Sequence, residues 1–261
     1  MSSQQAVYPT WSEPSHASNA GSRATFPLIL KFGPYRLAQA NFDLTIIDLG
    51  QTAISGEDVD AQSLPFDRAL YLKSVPERLA LASSSIAESM LVYPFYRYDR
   101  SWVVTEGSFD NYLSSFSKTS RKGLKRRTKK LAELSGGHLD IRRFDRADLI
   151  KPFYTHARAV SANTFQEKLM DDGLPADDAF FDDMIRMVLG GQCYGSILFI
   201  EEQPISYLYC ERRGSGWLPL YGGFDPAYAG LSPGTVHLLS VLEHSFNDQS
   251  TAFFDFGPGK S

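Results

Sequence analysis

The stretch with the clearest chemical potential is Ser232-Pro233-Gly234-Thr235, where an apolar strand-like region gives way to helical spacing. Ser232 suits an N-cap, and Pro233 at the first helical position has its φ pre-set and forfeits no useful N–H. Gly234 lacks a Cβ, so another group can come close to the backbone there. Such a helix start offers free N–H donors and the positive end of a dipole, a natural seat for phosphate. A plain, well-capped helix is the alternative. A second stretch is electrostatic: from Lys118 to Lys130 there are eight Lys or Arg residues and no acid. The 261-residue chain carries a formal charge of −4, yet outside this run 18 basic residues face 30 acidic ones. An acidic protein with one basic stripe makes contact with a polyanion local. No aromatic residue interleaves with these cations, which argues against sequence-specific reading of nucleic acid but not against phosphate attraction. Cys193 and Cys210, the only cysteines, sit among apolar residues. They have neither a metal-ligand spacing nor a disulfide framework, so they read as buried thiols in a reducing compartment, and no metal is expected.

The elements that position these groups follow from periodicity. Met1 to Ser22 is rich in Ser, Ala and Gln and has no apolar core of a secretory signal. No apolar run approaches the roughly 20 residues that span a bilayer. The expectation is a cytoplasmic protein, with work at the inner membrane surface left open. Residues 1–24 read as a disordered tail. Residues 25–116 form a small α/β region, with strands at Leu28–Phe32, Asp43–Asp48, Ala69–Lys73 and Ser101–Thr105 and a helix near Pro76–Leu91. Residues 117–135 are a basic linker helix, with Leu124, Thr128, Leu131 and Leu134 on one narrow apolar stripe and Gly136-Gly137 ending it. Residues 136–261 read as strand His138–Phe144, helix Asp148–Asn163, helix Asp178–Leu189, strand Gly195–Ile200, a turn at Glu201 to Pro204, strand Ile205–Arg212, strand Trp217–Phe224, helix Ser232–Asn247 and strand Thr251–Phe256.

The order β-α-α-β-β-β-α-β resembles the core of the GNAT acyltransferase superfamily. The local wording is similar to its FemAB/CelD-like branch, on the basic helix Ser120-Arg121-Lys122…Arg126-Arg127, Tyr221-Gly222-Gly223-Phe224-Asp225, Ser232-Pro233-Gly234-Thr235 and Phe254-Asp255-Phe256-Gly257. The resemblance implies a mixed sheet flanked by helices, preceded by a smaller α/β region that is itself partly GNAT-like. It also implies acyl-coenzyme A as co-substrate, with the pyrophosphate on the helix start at Leu231, Ser232, Gly234 and Thr235. The loop Tyr228–Gly234 lacks the leading Gln/Arg and one glycine of the superfamily's pyrophosphate motif. Cell-wall members of the FemAB branch use aminoacyl-tRNA instead. The family continues with another helix and strand, so a truncated C-terminus is expected, with Thr251–Phe256 left as an exposed sheet edge.

Acyl transfer from a thioester to an amine needs a deprotonated amine, a polarised carbonyl and a proton for the leaving thiolate. In GNAT folds the thioester sits where the fourth and fifth strands splay, here Trp217–Phe224 and Thr251–Phe256, which should be parallel neighbours. Pro219 cannot donate, and Gly222 and Gly223 let a ligand approach, so the N–H groups from Leu220 to Gly223 are candidate carbonyl polarisers. Asp225 and Asp255 are candidate bases, against a turn-forming role for the first and a solvated strand-end role for the second. Tyr221 is a candidate proton donor to the thiolate, or a pocket wall. His237 reads as structural. Arg121, Lys125, Arg126, Arg127, Lys129 and Lys130 are a candidate face for an anionic membrane, or for RNA; contact with the adenosine phosphates, or no ligand at all, are the other readings. The function expected is N-acyl transfer to an amine of a cell-envelope glycan or lipid, such as a sphingoid base or its precursor. The alternatives are an aminoacyl-tRNA-dependent cell-wall transferase and a non-catalytic GNAT-like module that binds an anionic partner.

Overall fold

The computed structural model describes residues 22–32, 35–50, 54, 69–77, 97–164, 167 and 173–259. The expected tail and nearly all of the expected helix Pro76–Leu91 lie outside these residues. The chain divides into two compact units, Met1–Phe95 and Tyr96–Ser261. In the first, β1 (Ser22–Phe32) and β2 (Tyr35–Asp48) pair antiparallel, and β3 (Ala69–Lys73) adds to β2 in parallel.

The second unit carries β4 (Arg100–Val104), α1 (Phe109–Ser114), α2 (Lys118–Leu134), β5 (Asp140–Phe144), α3 (Ala147–Ser161) and α4 (Asp178–Leu189). It continues with β6 (Cys193–Ile200), β7 (Gln203–Arg213), β8 (Gly216–Phe224), a 3-10 turn at Pro226–Leu231, α5 (Pro233–Asn247) and β9 (Phe253–Pro258). Its six strands form one mixed sheet in the order β4-β9-β8-β7-β6-β5. All eight residues of β6 are buried, as a strand covered on both faces should be. Alternation along the strands sorts the core into two layers. Ile197, Phe199, Tyr207 and Tyr209 face α3 and α4 with Phe153, Phe180 and Met184. Tyr194, Leu208, Cys210 and Trp217 face α5 with Val241 and Leu242.

Helix α2 begins where Ser117 Oγ accepts from the Ser120 N–H at 3.1 Å, and Gly136 (φ 78°) and Gly137 (φ 104°) turn the chain away after it. Of the expected stripe, Leu131 is fully buried against Leu198, Ile200, Ile205 and Val236, whereas Leu134 remains 43% exposed. Arg121, Lys122, Lys125, Arg126, Lys129 and Lys130 all face solvent, and Arg127 is half-buried.

Strand β4 changes one expectation. It comes from the region that precedes α2, yet it pairs antiparallel with β9 through Trp102↔Asp255, Val103↔Phe254 and Val104↔Phe253. The expected exposed edge at Thr251–Phe256 is therefore absent. β9 is flanked by β8 on one side and by β4 on the other, so it is not the edge of the sheet.

Candidate active site

Strands β8 and β9 run parallel, but only Gly216↔Phe253 and Trp217↔Phe254 are in register. Beyond Trp217, β8 keeps its pairing with β7 as far as Phe224, while β9 turns to β4. The two parallel strands thus part after two residue pairs, leaving a wedge with backbone polar groups along its β8 wall. The Asp225 N–H donates to the Ile205 carbonyl at 2.8 Å. Counting back in the antiparallel alternation turns Gly223 and Tyr221 toward β7 as well, and turns Gly222 and Phe224 into the wedge. Of the polarisers expected between Leu220 and Gly223, the Tyr221 and Gly223 N–H groups are spent on β7. Leu220 falls at the register shift between β7 and β8, and the Gly222 N–H turns into the wedge, joined by that of Phe224.

The two glycines have a reason independent of any ligand. A Cβ on Gly222 would lie 2.7 Å from Leu208 Cδ2, and one on Gly223 would lie 2.7 Å from Thr164 Cγ2 and 2.9 Å from Tyr207 Cε1. Side chains packed over both faces of β8 therefore leave little room for a larger residue at either position. Gly234 is similar: a Cβ there would stand 3.1 Å from Phe224 Cδ1. The space expected for a phosphate beside the Gly234 Cα is filled by that ring, because the 3-10 turn folds α5 back on the end of β8.

Helix α5 starts differently from the expectation. Ser232 occupies the N-cap position, but in the left-handed region (φ 50°, ψ 53°) and with no side-chain cap hydrogen bond. The 3-10 turn that precedes it imposes this conformation, which aims the hydroxyl away from the first turn. The Thr235 and Val236 N–H groups both return to the Ser232 carbonyl, at 3.1 and 3.2 Å. Pro233 has no N–H, so Gly234 supplies the donor that this turn can offer to an anion. Leu231 is half-buried and packs with Tyr228 against the cluster around Leu131 and Val236. The inner face of basic helix α2 thus lies beside this turn.

Asp255 is not free to act as a base. It is 1% exposed and grips Arg100, with Nη2–Oδ2 at 2.5 Å and Nε at 3.2 and 3.1 Å from the two oxygens. Its Oδ1 also accepts the Gly257 N–H at 2.8 Å. The carboxylate clamps β4 onto β9, and neither of its oxygens faces the wedge as a free acceptor. Asp225 caps the 3-10 turn through the Ala227 N–H at 2.9 Å, the turn-forming role. Tyr221 is half-buried in an aromatic wall, 5.6 Å from Phe180 and 6.3 Å from Tyr209 between ring centroids.

Two groups have no local sequence signature. Arg158 pairs with Glu167 at 2.6 Å; Ser161 Oγ donates to Glu167 at 2.5 Å and receives the Tyr207 hydroxyl at 3.2 Å and the Leu174 N–H at 2.9 Å. This network meets β8 at Gly223 through Thr164 and Tyr207, near the mouth of the wedge on the α3–α4 face. The Arg158 guanidinium holds the Glu167 carboxyl below its ordinary range, and burial lifts the Tyr207 phenol above its own. The second group is His237, fully buried between Ser196 Oγ (2.8 Å from Nε2) and Ser206 Oγ (3.1 Å from Nδ1). Burial lowers its pKa to about 3, so the ring is neutral. Burial also lifts the thiols of Cys193 to about 11 and Cys210 to about 12, which removes both as nucleophiles. Among the described residues there is no His, Cys, Asp and Glu cluster able to hold a metal ion.

The profile of the GNAT acetyltransferase domain matches residues 118–261, more than half of the chain. The chain belongs to the GNAT acetyltransferase family. The parallel pair that separates after Trp217 is the part of the fold where the resemblance places the acyl donor. FemX has a similar structure, with a TM-score of 0.54 at 10% identity over 92% of this chain and 81% of that one. A conserved protein of unknown function from Bacteroides thetaiotaomicron matches with a TM-score of 0.51 at 8% identity, over 92% and 77%. The C-terminal DUF2156 domain of an Agrobacterium fabrum protein described as a lysylphosphatidylglycerol synthetase matches at 9% identity and a TM-score of 0.44, over 62% of this chain. The chain spans 46% of that last structure. At these identities the likeness speaks for fold alone, and the fold shared with FemX agrees with the FemAB-like branch. No curated protein sequence gives a significant match. Family membership makes the chain a GNAT-type transferase.

Proposed function

We propose that the chain is an N-acyltransferase that takes its acyl group from acyl-coenzyme A. The supporting observation is the wedge: β8 and β9 part after Trp217, with the Gly222 and Phe224 N–H groups turned into the gap and the start of α5 immediately beyond. The thioester carbonyl would accept from these N–H groups, and the pyrophosphate would meet the Gly234 N–H and the positive end of α5. The acceptor amine would arrive on the α3–α4 face, where Glu167 offers an anionic carboxylate to its ammonium form and the Tyr207–Ser161 pair lines the approach. With Asp255 committed to Arg100, deprotonation of the amine falls to solvent or to this network. The acceptor we favour is an amine on a cell-envelope glycan or lipid precursor, met at the cytoplasmic face of a membrane. Arg121, Lys125, Arg126, Arg127, Lys129 and Lys130 would hold the protein to anionic lipid. Among the described residues only Lys129 of these has a carboxylate partner, Glu133 at 3.7 Å. In addition, no described helix is long and apolar enough to cross a bilayer.

The same cations favour a second reading, in which the donor is an aminoacyl-tRNA whose phosphates lie along α2. Titration of coenzyme A, acyl-coenzyme A and tRNA against the purified chain separates the two. Saturable binding of acyl-coenzyme A, insensitive to added tRNA, is the expected result. Binding of tRNA alone would transfer the assignment to the second reading, and binding of neither would leave a GNAT-like module that holds some other anionic partner.

A further inference from the structure

The buried row Ser196–His237–Ser206 ends on the backbone of the wedge. Ser206 Oγ lies 3.0 Å from the Gly223 carbonyl oxygen, and a carbonyl can only accept, so the Ser206 proton is directed there. His237 Nδ1, 3.1 Å from Ser206 Oγ, must then carry a proton and donate to that hydroxyl oxygen. Because the ring is neutral, Nε2 is bare and accepts from Ser196 at 2.8 Å. Every donor in the row points the same way: Ser196 to His237, His237 to Ser206, Ser206 to the Gly223 carbonyl. The Gly223–Phe224 peptide is planar and trans, so a carbonyl held on the β7 side projects the Phe224 N–H in the opposite direction, into the wedge.

We propose that Ser196, His237 and Ser206 form a positioning relay that fixes the Gly223–Phe224 peptide and strengthens its N–H as a donor to the acyl carbonyl. Hydrogen bonds in a chain polarise one another, and a bond accepted at a carbonyl makes the N–H of the same peptide a better donor. The three side chains come from β6, α5 and β7, so the relay also ties the helix that begins at the phosphate seat to the strand that holds the thioester. The β7–β8 ladder already gives that N–H its direction, and a stacked apolar contact in place of the relay would fill the same volume without adding a donor to the Gly223 carbonyl. The proposal rests on the acyl-donor reading for its purpose, but its geometry is testable without a donor.

Two measurements on the whole chain decide it. Nitrogen-15 NMR of the histidine ring should find His237 protonated on Nδ1 and bare on Nε2, and the Phe224 amide proton should move upfield in Ser206→Ala. The opposite tautomer, or a Phe224 amide unmoved in Ser206→Ala, overturns the relay whatever the donor is. With carbonyl-labelled acyl-coenzyme A, the bound carbonyl stretch should shift toward its free value in Ser206→Ala, and kcat should fall about fivefold, the size of one neutral hydrogen bond, more than KM changes. A merely structural role would lower stability and leave the bound carbonyl frequency in place, which also overturns it. Ser196→Ala, which removes only the far hydroxyl, should show the same changes at smaller size and stands in if Ser206→Ala does not fold. Failure of the wild-type chain to bind acyl-coenzyme A, with the Nδ1 tautomer and the Phe224 response intact, would overturn the donor reading and leave the relay standing.

Discussion

At the scale of single residues, Asp255 shows why a carboxylate in the right strand need not be the base. Its burial is tolerable because Arg100 meets it through more than one nitrogen and the Gly257 N–H adds a further bond. Removing one member of such a buried pair typically costs about 3–5 kcal/mol, since the other charge loses its opposite charge. Asp255→Asn should therefore lower the urea midpoint sharply; a fully stable Asp255→Asn chain with abolished activity would restore the catalytic reading. The sequence offered no hint of this pairing, because the partner lies 155 positions away and leaves no local pattern. Asp225 was legible for the opposite reason: Asp-Pro is a turn signal read over neighbouring residues. Glu167 gives a prediction with a sign. Its folded pKa is depressed, chiefly by the hydrogen bond to Arg158. Its contribution to stability is thus full above the unfolded glutamate value of about 4.3 and is lost as pH falls through the lower folded value. The stability difference between wild type and Glu167→Gln, read from urea midpoints, should be present at neutral pH and shrink steadily below about pH 4.3. A difference that grows on acidification would contradict the assigned ion pair.

At the scale of elements, periodicity located the helices from Lys118 onward but not the short α1 at Phe109–Ser114. The Asp178–Leu189 helix has the expected bounds, and the basic helix begins at Lys118 with Ser117 as its cap. Both are amphipathic, so one buried face repeats in the sequence. The same logic failed at the edge of the sheet, since pairing of β4 with β9 depends on residues that no window of the sequence brings together. It also failed at Ser232, whose type favours an N-cap but whose left-handed backbone is set by the preceding 3-10 turn. The outer face of α2 supports a third prediction. Reversing Arg121, Lys125, Arg126 and Lys130 to Glu leaves the buried Leu131 contact and the Lys129–Glu133 pair in place. Binding to vesicles rich in anionic phospholipid should weaken by about 1 kcal/mol or more for each cation lost and should become less sensitive to salt. The melting temperature should stay nearly constant. Unaltered vesicle binding, or a collapse of stability, would make α2 a structural helix and nothing more.

At the scale of the whole molecule, the GNAT-like unit is a six-stranded sheet in which β8 and β9 hold only two parallel residue pairs before they part. The GNAT resemblance carried that far, since it implies a parallel pair that splays, and a single helix joining two strands is compatible with a parallel pair. What lines the gap depended on the backbone alternation set by Asp225 and Ile205 and on side chains packed over Gly222 and Gly223. The account stands or falls on whether this gap is where the acyl donor lies. Amide chemical-shift mapping during titration with acyl-coenzyme A tests it most directly. Saturable shifts of the Gly222, Phe224 and Gly234 amides, with little change across β5 and β6, are the predicted result; no saturable shift at those three amides, or shifts confined to the basic face of α2, would contradict it.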